Sequence, residues 1–380
     1  MKILLIGEYS NVHWSLAEGL RQLGHRVTVV SDGDGWKNYP RDVDISRKST
    51  AFWHTISYVA RLKHVMNGLK GYDVVQIINP VFLELTPTRI LPYYKQLKRQ
   101  NKSIFMGAFG MDHYWVKAGL DCCTFEYSDF NIGTQVRQSA DNDRFIDEWL
   151  HGPKGWLNKI VAYDCQGIVT GLYEYQMAYS RHFDLPEKLQ FIPFPVSAMP
   201  AARPQPVHSP IRFFIGIQSQ RNAYKGTDIM LRALKRLAHD YPREVEMVVA
   251  EDVPFRQYAR MLADSDVLLD QLYSYTPAMN GLLAMSKGLV LVGGGEEAHY
   301  QLLGENSLRP IINVKPSEES VYKALHHLMS RPDELYRLKE QSIAYVKRHH
   351  DPVRVAQQYV DFWLRMQKPE NRHLSHDIII

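Results

Sequence analysis

Residues 2–32, KILLIGEYSNVHWSLAEGLRQLGHRVTVVSD, decide the fold. Ile3 to Ile6 form an unbroken apolar run, as a strand buried on both faces requires. Leu16, Leu20 and Leu23 recur at helical spacing, and Gly24 follows as a C-terminal cap. Val27 to Val30 form a second apolar run. A strand–helix–strand unit with so short a connection predicts parallel strands, with helices covering the sheet.

The alternation repeats along the chain. Strands are predicted over 73–79, 103–110, 167–171 and 189–197, and helices over 89–100 and 172–183. Residues 115–156 are rich in aromatic and charged side chains and are expected to form a helical insertion or an acceptor-side lid. Residues 198–210, AMPAARPQPVHSP, carry almost no core residues and read as a linker. Beyond them strands are predicted over 211–217, 245–251, 266–272 and 289–294. Helices are predicted over 226–241, 255–265, 277–288 and 317–331. The expected fold is α/β: two Rossmann-like parallel-sheet domains facing each other across a cleft. Their bounds are 1–197 and 211–351, joined by the 198–210 linker, with a C-terminal helix in 352–380 as a candidate to cross back to the first domain.

Bulk composition agrees. A chain of 380 residues is long for one hydrophobic core. Its 45% apolar and 23% charged residues are those of an ordinary globular protein. A net charge of +4 permits acidic substrates or peripheral contact with the inner face of an anionic membrane, and demands neither. No basic stripe or recognition module is present, so no nucleic-acid partner is expected. Cys122, Cys123 and Cys165 have neither a disulfide framework nor zinc-ligand spacing. Reduced, mostly buried thiols, a cytoplasmic location and no metal site are expected. The first apolar run is too short for a signal peptide, and no run reaches the ~18 apolar residues of a membrane span.

Parallel sheets bind ligands beyond the C-terminal ends of their strands, and four such ends carry unusual residues. After the first strand, Gly7, Ser10, Asn11 and His13 are candidates for the acceptor side or cleft. The G-x-G-x-x-G fingerprint of a dinucleotide site is absent there, although Asp32 stands where a ribose-binding acid would. In GAFGMDHYW (107–115), Asp112 and His113 are candidates for a general base or for orienting a sugar hydroxyl; a solvated turn is the plain alternative. In GIQSQRNAYKGTD (216–228), Arg221 and Lys225 could neutralise a leaving diphosphate, as could any two surface cations. The fourth stretch is DQLYSYTPAMNGLLAMSKGLVLVGGGEE (270–297). Thr276 before Pro277 predicts a helix start whose free N–H groups favour phosphate. Gly293, Gly294 and Gly295 would let backbone approach a ligand closely.

Taken together, these segments resemble the GT-B glycosyltransferases, especially the large retaining family 4 group. The resemblance rests on HWSLAEGLRQLGHRVTVVS (13–31), FIPFPV (191–196), RNAYKGTDIMLRAL (221–234) and LLAMSKGLVLVGGGEE (282–297). It implies a nucleotide-sugar donor held mainly by the second domain, metal-independent transfer without a cofactor, and Arg221 and Lys225 on the diphosphate. The family's paired glutamates, eight residues apart, are missing: the second falls on Leu283 and the first near Tyr275. Gln271, Ser274, Tyr275, Thr276 and Asn280 are the expected neutral donor contacts, with Glu296 or Glu297 as replacement carboxylates. The expected activity is transfer of a sugar from a UDP- or GDP-sugar to a glycan or lipid-linked acceptor, with retention, in surface polysaccharide synthesis. Domain closure is expected to exclude water. A weakened sugar-binding subunit and a nucleotide-sugar epimerase are the alternatives.

Overall fold

The computed structural model describes residues 1–49, 51–197, 200–217 and 222–368. Two compact units result. One comprises Met1–Thr124, Gln138–Ser197 and Asp351–Ile380; the other comprises Phe125–Arg137 and Ala198–His350.

The first unit holds strands β1 (Lys2–Ile6), β2 (Arg26–Ser31), β3 (Val43–Asp44), β4 (Val74–Ile77) and β5 (Ile104–Ala108). After β5 the chain leaves to form the hairpin strands β6 (Asn131–Ile132) and β7 (Gln135–Val136) of the second unit. It then returns with β8 (Gly167–Thr170) and β9 (Leu189–Phe191). The sheet order is β3-β2-β1-β4-β5-β8-β9, parallel throughout. Chain direction across the sheet reverses between β1 and β4, which makes their ends the natural ligand crevice. Its helices are α1 (Val12–Gln22), α2 (Phe52–Gly68), α3 (Pro87–Gln100), α4 (His113–Leu120), α5 (Ala140–Ile146), α6 (Pro153–Asp164) and α7 (Tyr173–His182). Ile3 to Ile6 are wholly buried, as the apolar run requires.

The second unit holds β10 (Ile211–Ile217), β11 (Val245–Glu251), β12 (Val267–Leu269), β13 (Val290–Gly293) and β14 (Ile311–Asn313). Their order is β11-β10-β12-β13-β14, again parallel, with the reversal between β10 and β12. The helices are α8 (Asn222–Lys225), α9 (Thr227–Asp240), α10 (Phe255–Ala263), α11 (Met279–Ser286), α12 (Glu297–Leu303), α13 (Glu318–Met329) and α14 (Pro332–His349). Met230, Leu234 and Leu237 of α9, with Val321, Leu325 and Leu328 of α13, pack on Phe213, Ile215, Val267 and Leu269. Each such side chain contributes about 1.5–3 kcal/mol.

The last helix, α15 (Pro352–Met366), belongs to the first unit and packs on α1. Asp351 starts it by accepting from the N–H groups of Val353 and Arg354. Phe125–Arg137, placed by the sequence within the first domain, instead groups with the second unit, held there by aromatic stacking and ion pairs described below. Residues 198 and 199 of the linker lie outside the described residues. The rest docks on the second unit: Ala201 N–H donates to Ser286 O at 2.8 Å, and His208 bonds the buried Asp266. Of the cysteines only Cys165 is buried; Cys123 is exposed. Among the described residues no helix is long and apolar enough to cross a membrane.

Candidate functional site

The residues singled out in the sequence lie at strand ends in each unit. In the first unit the loop after β1 is conformationally unusual. Gly7, Ser10 and Asn11 have φ of +82°, +52° and +71°. Glycine is required at position 7, because a Cβ there would lie 2.3 Å from Ile78 Cγ2. Positive φ at Ser10 and Asn11 costs energy and persists only where the surroundings enforce it. Asn11 precedes α1 without a side-chain cap. Glu8 caps α1 instead, its carboxylate accepting from the N–H of His13 at 3.2 Å and of Trp14 at 2.9 Å. Burial pushes Glu8 up to about 8, outweighing those two bonds, which favour the ionised form.

His13 is wholly buried and donates from Nδ1 to the Gly7 carbonyl at 2.8 Å. Burial lowers its pKa to about 3, so the ring is neutral. Its Nε2 and Asn11 Oδ1 are buried acceptors without a hydrogen-bond partner among the described residues. Ser10 N–H donates to Asp34, and Lys37 reaches both Ser10 and Asp34. Beside this loop lies a cavity of about 580 Å³ at the β1/β4 reversal. Apolar walls such as Ile78 and Phe82 meet Asp32, Arg47, Glu84 and Arg89 there. Of the four residues expected on the acceptor side, Gly7 lines the cavity; Ser10, Asn11 and His13 do not.

Asp112 proves to be a helix cap. It is fully buried, accepts from Trp115 N–H at 2.8 Å, and takes the Tyr179 hydroxyl at 2.8 Å. Burial raises its pKa to about 6 against those bonds. His113 donates from Nδ1 to the Trp149 carbonyl at 2.9 Å, and burial lowers its pKa. Both side chains bond to α4 and its neighbours, and what the structure adds to the sequence reading is the capping role of Asp112. An Asp just before a helix is the local sign of that role.

The second unit brings several predicted donor residues together. Arg221 lies outside the described residues. Lys225 ends α8, and its charge favours the ionised form of Asp270, a buried carboxylate whose pKa is raised by that burial. Asp270 follows β12 and accepts from Asn280 Nδ2 at 3.0 Å. Asn280 Oδ1 in turn accepts from the Tyr258 hydroxyl at 2.9 Å. Asp270, the first residue of the quoted stretch, thus stands beside Lys225 at the β10/β12 reversal. Each end of the Asn280 amide thus holds one protein partner.

Two expectations are revised by the loop before α11. That helix starts at Met279, two residues later than expected, and Thr276 does not cap it. Ser274 and Thr276 are buried and close their own turn, the Ser274 hydroxyl donating to Thr276 O at 2.6 Å. The glycine run packs against the protein: a Cβ at Gly294 would sit 2.3 Å from Ser274 O, and one at Gly295 2.6 Å from Ile311 Cγ2. Gly293 likewise faces the Gln271 backbone; Gln271 itself is partly exposed. Close packing within the protein is by itself enough to require these glycines.

Around Tyr275 and Glu296 a polar cluster forms that the sequence did not foretell. Tyr127 stacks on Tyr275, ring centroids 4.8 Å apart, and donates its hydroxyl to Glu296 Oε1 at 2.5 Å. Lys315 Nζ reaches Glu296 Oε1 at 2.9 Å and Glu126 Oε2 at 2.8 Å. Burial works to raise the pKa of Glu296, but bonds from Tyr127, Asn313 and Lys315 prevail and hold it below its ordinary value. Glu297 is exposed and pairs with Arg309. Among the described residues no three His, Cys, Asp or Glu side chains gather to hold a metal ion.

No family model matches the chain, and no curated protein matches it. Solved structures do. Anabaena HepE in complex with UDP and glucose is 12% identical, covers 96% of this chain and 100% of its own, and gives a TM-score of 0.57. Sucrose-phosphate synthase from Thermosynechococcus elongatus is 12% identical over 96% of this chain and 99% of its own, also at 0.57. UDP-GlcNAc 2-epimerase from Neisseria meningitidis bound to UDP-GlcNAc is 11% identical over 96% and 100%, at 0.52. At such identities the likeness establishes architecture: this chain has the GT-B fold, two Rossmann-like parallel-sheet units.

Proposed function

We propose that this chain is a glycosyltransferase that takes a sugar from a UDP-sugar and passes it, with retention, to a glycan or lipid-linked acceptor for surface polysaccharide. The observation that carries the reading is the meeting of α8 with the segment after β12 at the β10/β12 reversal, where Leu272 N–H donates to the Lys225 carbonyl at 3.0 Å, with the Tyr275–Glu296–Lys315 cluster on neighbouring strand ends. A parallel sheet presents ligands at this edge, and a departing diphosphate needs fixed positive charge. UDP is favoured over GDP because the similar HepE structures hold UDP or UDP-glucose.

In the proposed reaction the acceptor oxygen bonds the anomeric carbon as its bond to the diphosphate oxygen breaks. The acceptor proton passes to that leaving oxygen, so no dedicated carboxylate base is needed. Lys225, with Arg221, steadies the charge that develops. The first unit's cavity takes the acceptor, its mixed walls suiting a molecule with polar and apolar parts. Peripheral contact with the inner membrane face is part of the reading, supported by Phe52 and Trp53, 70% and 77% exposed at the start of α2.

The test is calorimetric binding of UDP and GDP, followed by turnover of UDP-sugars with Lys225→Met. UDP should bind more tightly, and the variant should lose about a hundredfold in turnover. Near-normal turnover would remove Lys225 from the leaving group. The anomer formed, read by NMR, decides retention. The likeness to the Neisseria epimerase favours one second reading, a nucleotide-sugar epimerase. Incubation of UDP-GlcNAc without acceptor would yield a new epimer on that reading alone.

A further inference from the structure

The hairpin Phe125–Arg137 sits between elements of the first unit in sequence, yet it is built into the second. Its contacts fall on one edge. Tyr224 in α8, beyond β10, donates its hydroxyl to Asp129 at 2.6 Å. Tyr275, beyond β12, accepts from the Glu126 N–H at 2.8 Å. Glu296, beyond β13, takes the Tyr127 hydroxyl, and Lys315, beyond β14, pairs with Glu126. The Arg137 guanidinium lies 3.5 Å over the Tyr273 ring. The hairpin thus touches the segments that follow four of the five strands, the edge where this fold receives ligands.

The hairpin is stiff. Ser128 and Asn131 are buried and bonded to one another, and Asn131 Nδ2 donates to the carbonyls of Phe125 and Gly133. Tyr127 is 2% exposed, so its hydroxyl is fixed on Glu296. The Glu296 side chain keeps 18% exposure. A carboxylate offers about four acceptor positions. Tyr127, Lys315 and Asn313 are its partners, which leaves capacity for a ligand hydroxyl.

We propose that the hairpin is the sugar-side wall of the donor site, with Tyr127 and Lys315 as positioning residues that hold the Glu296 carboxylate for hydroxyls of the transferred sugar. This deepens the donor reading above and rests on it. It gives the chain a carboxylate beside Tyr275, supplied from the next strand end rather than from position 275 itself.

The test compares affinities for UDP, UDP-glucose and UDP-GlcNAc by calorimetry, in wild type and in three full-length variants. Tyr127→Phe keeps the stacked ring and removes only the hydroxyl. Glu296→Gln removes the charge. In the third, a Gly-Ser segment replaces the hairpin. The first two should weaken UDP-sugar binding about five- to tenfold, the worth of one hydrogen bond, while UDP affinity stays within about twofold. Loss of the hairpin should abolish the preference for UDP-sugar over UDP. Unchanged ratios in Tyr127→Phe and Glu296→Gln would overturn the wall and leave the donor site standing. Tighter sugar-nucleotide binding without the hairpin would also overturn it, since the segment would then be a cover that competes with the donor. Wild type that binds none of the three probes would overturn the donor reading itself, and this inference with it.

Discussion

Glu8 shows how one residue can carry both architecture and pH response. Its carboxylate closes the start of α1, yet it is buried and held up at about 8 against an ordinary value of 4.5. A raised acid binds its proton more tightly in the folded chain than in the unfolded one. Between those two values the native state holds more protons, so stability falls as pH rises through the window, by up to about 1.4 kcal/mol per unit. Glu8→Gln retains an oxygen for the helix N–H groups but cannot ionise. Thermal melts from pH 6 to 9 should therefore decline in wild type more steeply than in the variant. Parallel declines would show that Glu8 is already ionised in the folded chain. The same residue marks a limit of reading sequence. Ser10 and Asn11 stand directly before α1, and nothing local indicates that a glutamate further upstream bends back to cap it.

At the scale of elements, the central strands and the helices flanking them, such as α1, α3, α7, α9 and α13, were legible because apolar runs and i, i+4 spacing are local; the two longest helices, α2 and α14, and the short edge strand β14 were not predicted. In α2, Tyr58, Leu62 and Met66 face inward while Phe52, Trp53 and Ile56 stand exposed and blur the pattern. That exposed face leads to a prediction. Phe52→Ser with Trp53→Ser should reduce sedimentation with anionic vesicles and leave melting unchanged; equal sedimentation would remove α2 from membrane contact. The hairpin's place was equally hidden, because Tyr127 and Glu296 meet from 169 positions apart in the chain. The capping by Asp112 has a local signature, an Asp directly before a helix, but the sequence reading passed over it because Asp–His next to a strand end also suits catalysis. Helix packing yields a sharper test at Gly19. A Cβ there would lie 2.0 Å from Pro352 O of α15. Alanine normally gains about 1 kcal/mol over glycine within a helix. Here overpacking against backbone costs about 1–3 kcal/mol and wins. Gly19→Ala should lower the melting temperature, whereas Gly68→Ala, with nothing within 4 Å, should not.

For the whole molecule, the chain changes unit at 124/125, 137/138, 197/198 and 350/351, so no unit is a single stretch of sequence. Each still has its own core. Helix α15 buries Val355, Ala356, Tyr359, Val360, Phe362, Trp363 and Met366 in the first unit. Trp363 lies against Phe105 and donates from Nε1 to Gln76 Oε1 at 3.3 Å. Phe362 fills the space where a side chain at Gly167 would be. The end of the chain is thereby part of the first unit's stability, although most of the second unit separates them in sequence. Trp363→Ala should cost about 3–5 kcal/mol there, since a large cavity replaces a fully packed ring. If the two cores open independently, hydrogen exchange in β1, β4 and β5 should speed by roughly two to four orders of magnitude, while β10, β12 and β13 keep their wild-type protection. Equal acceleration in both sheets would mean that the four passages of chain make the units unfold as one.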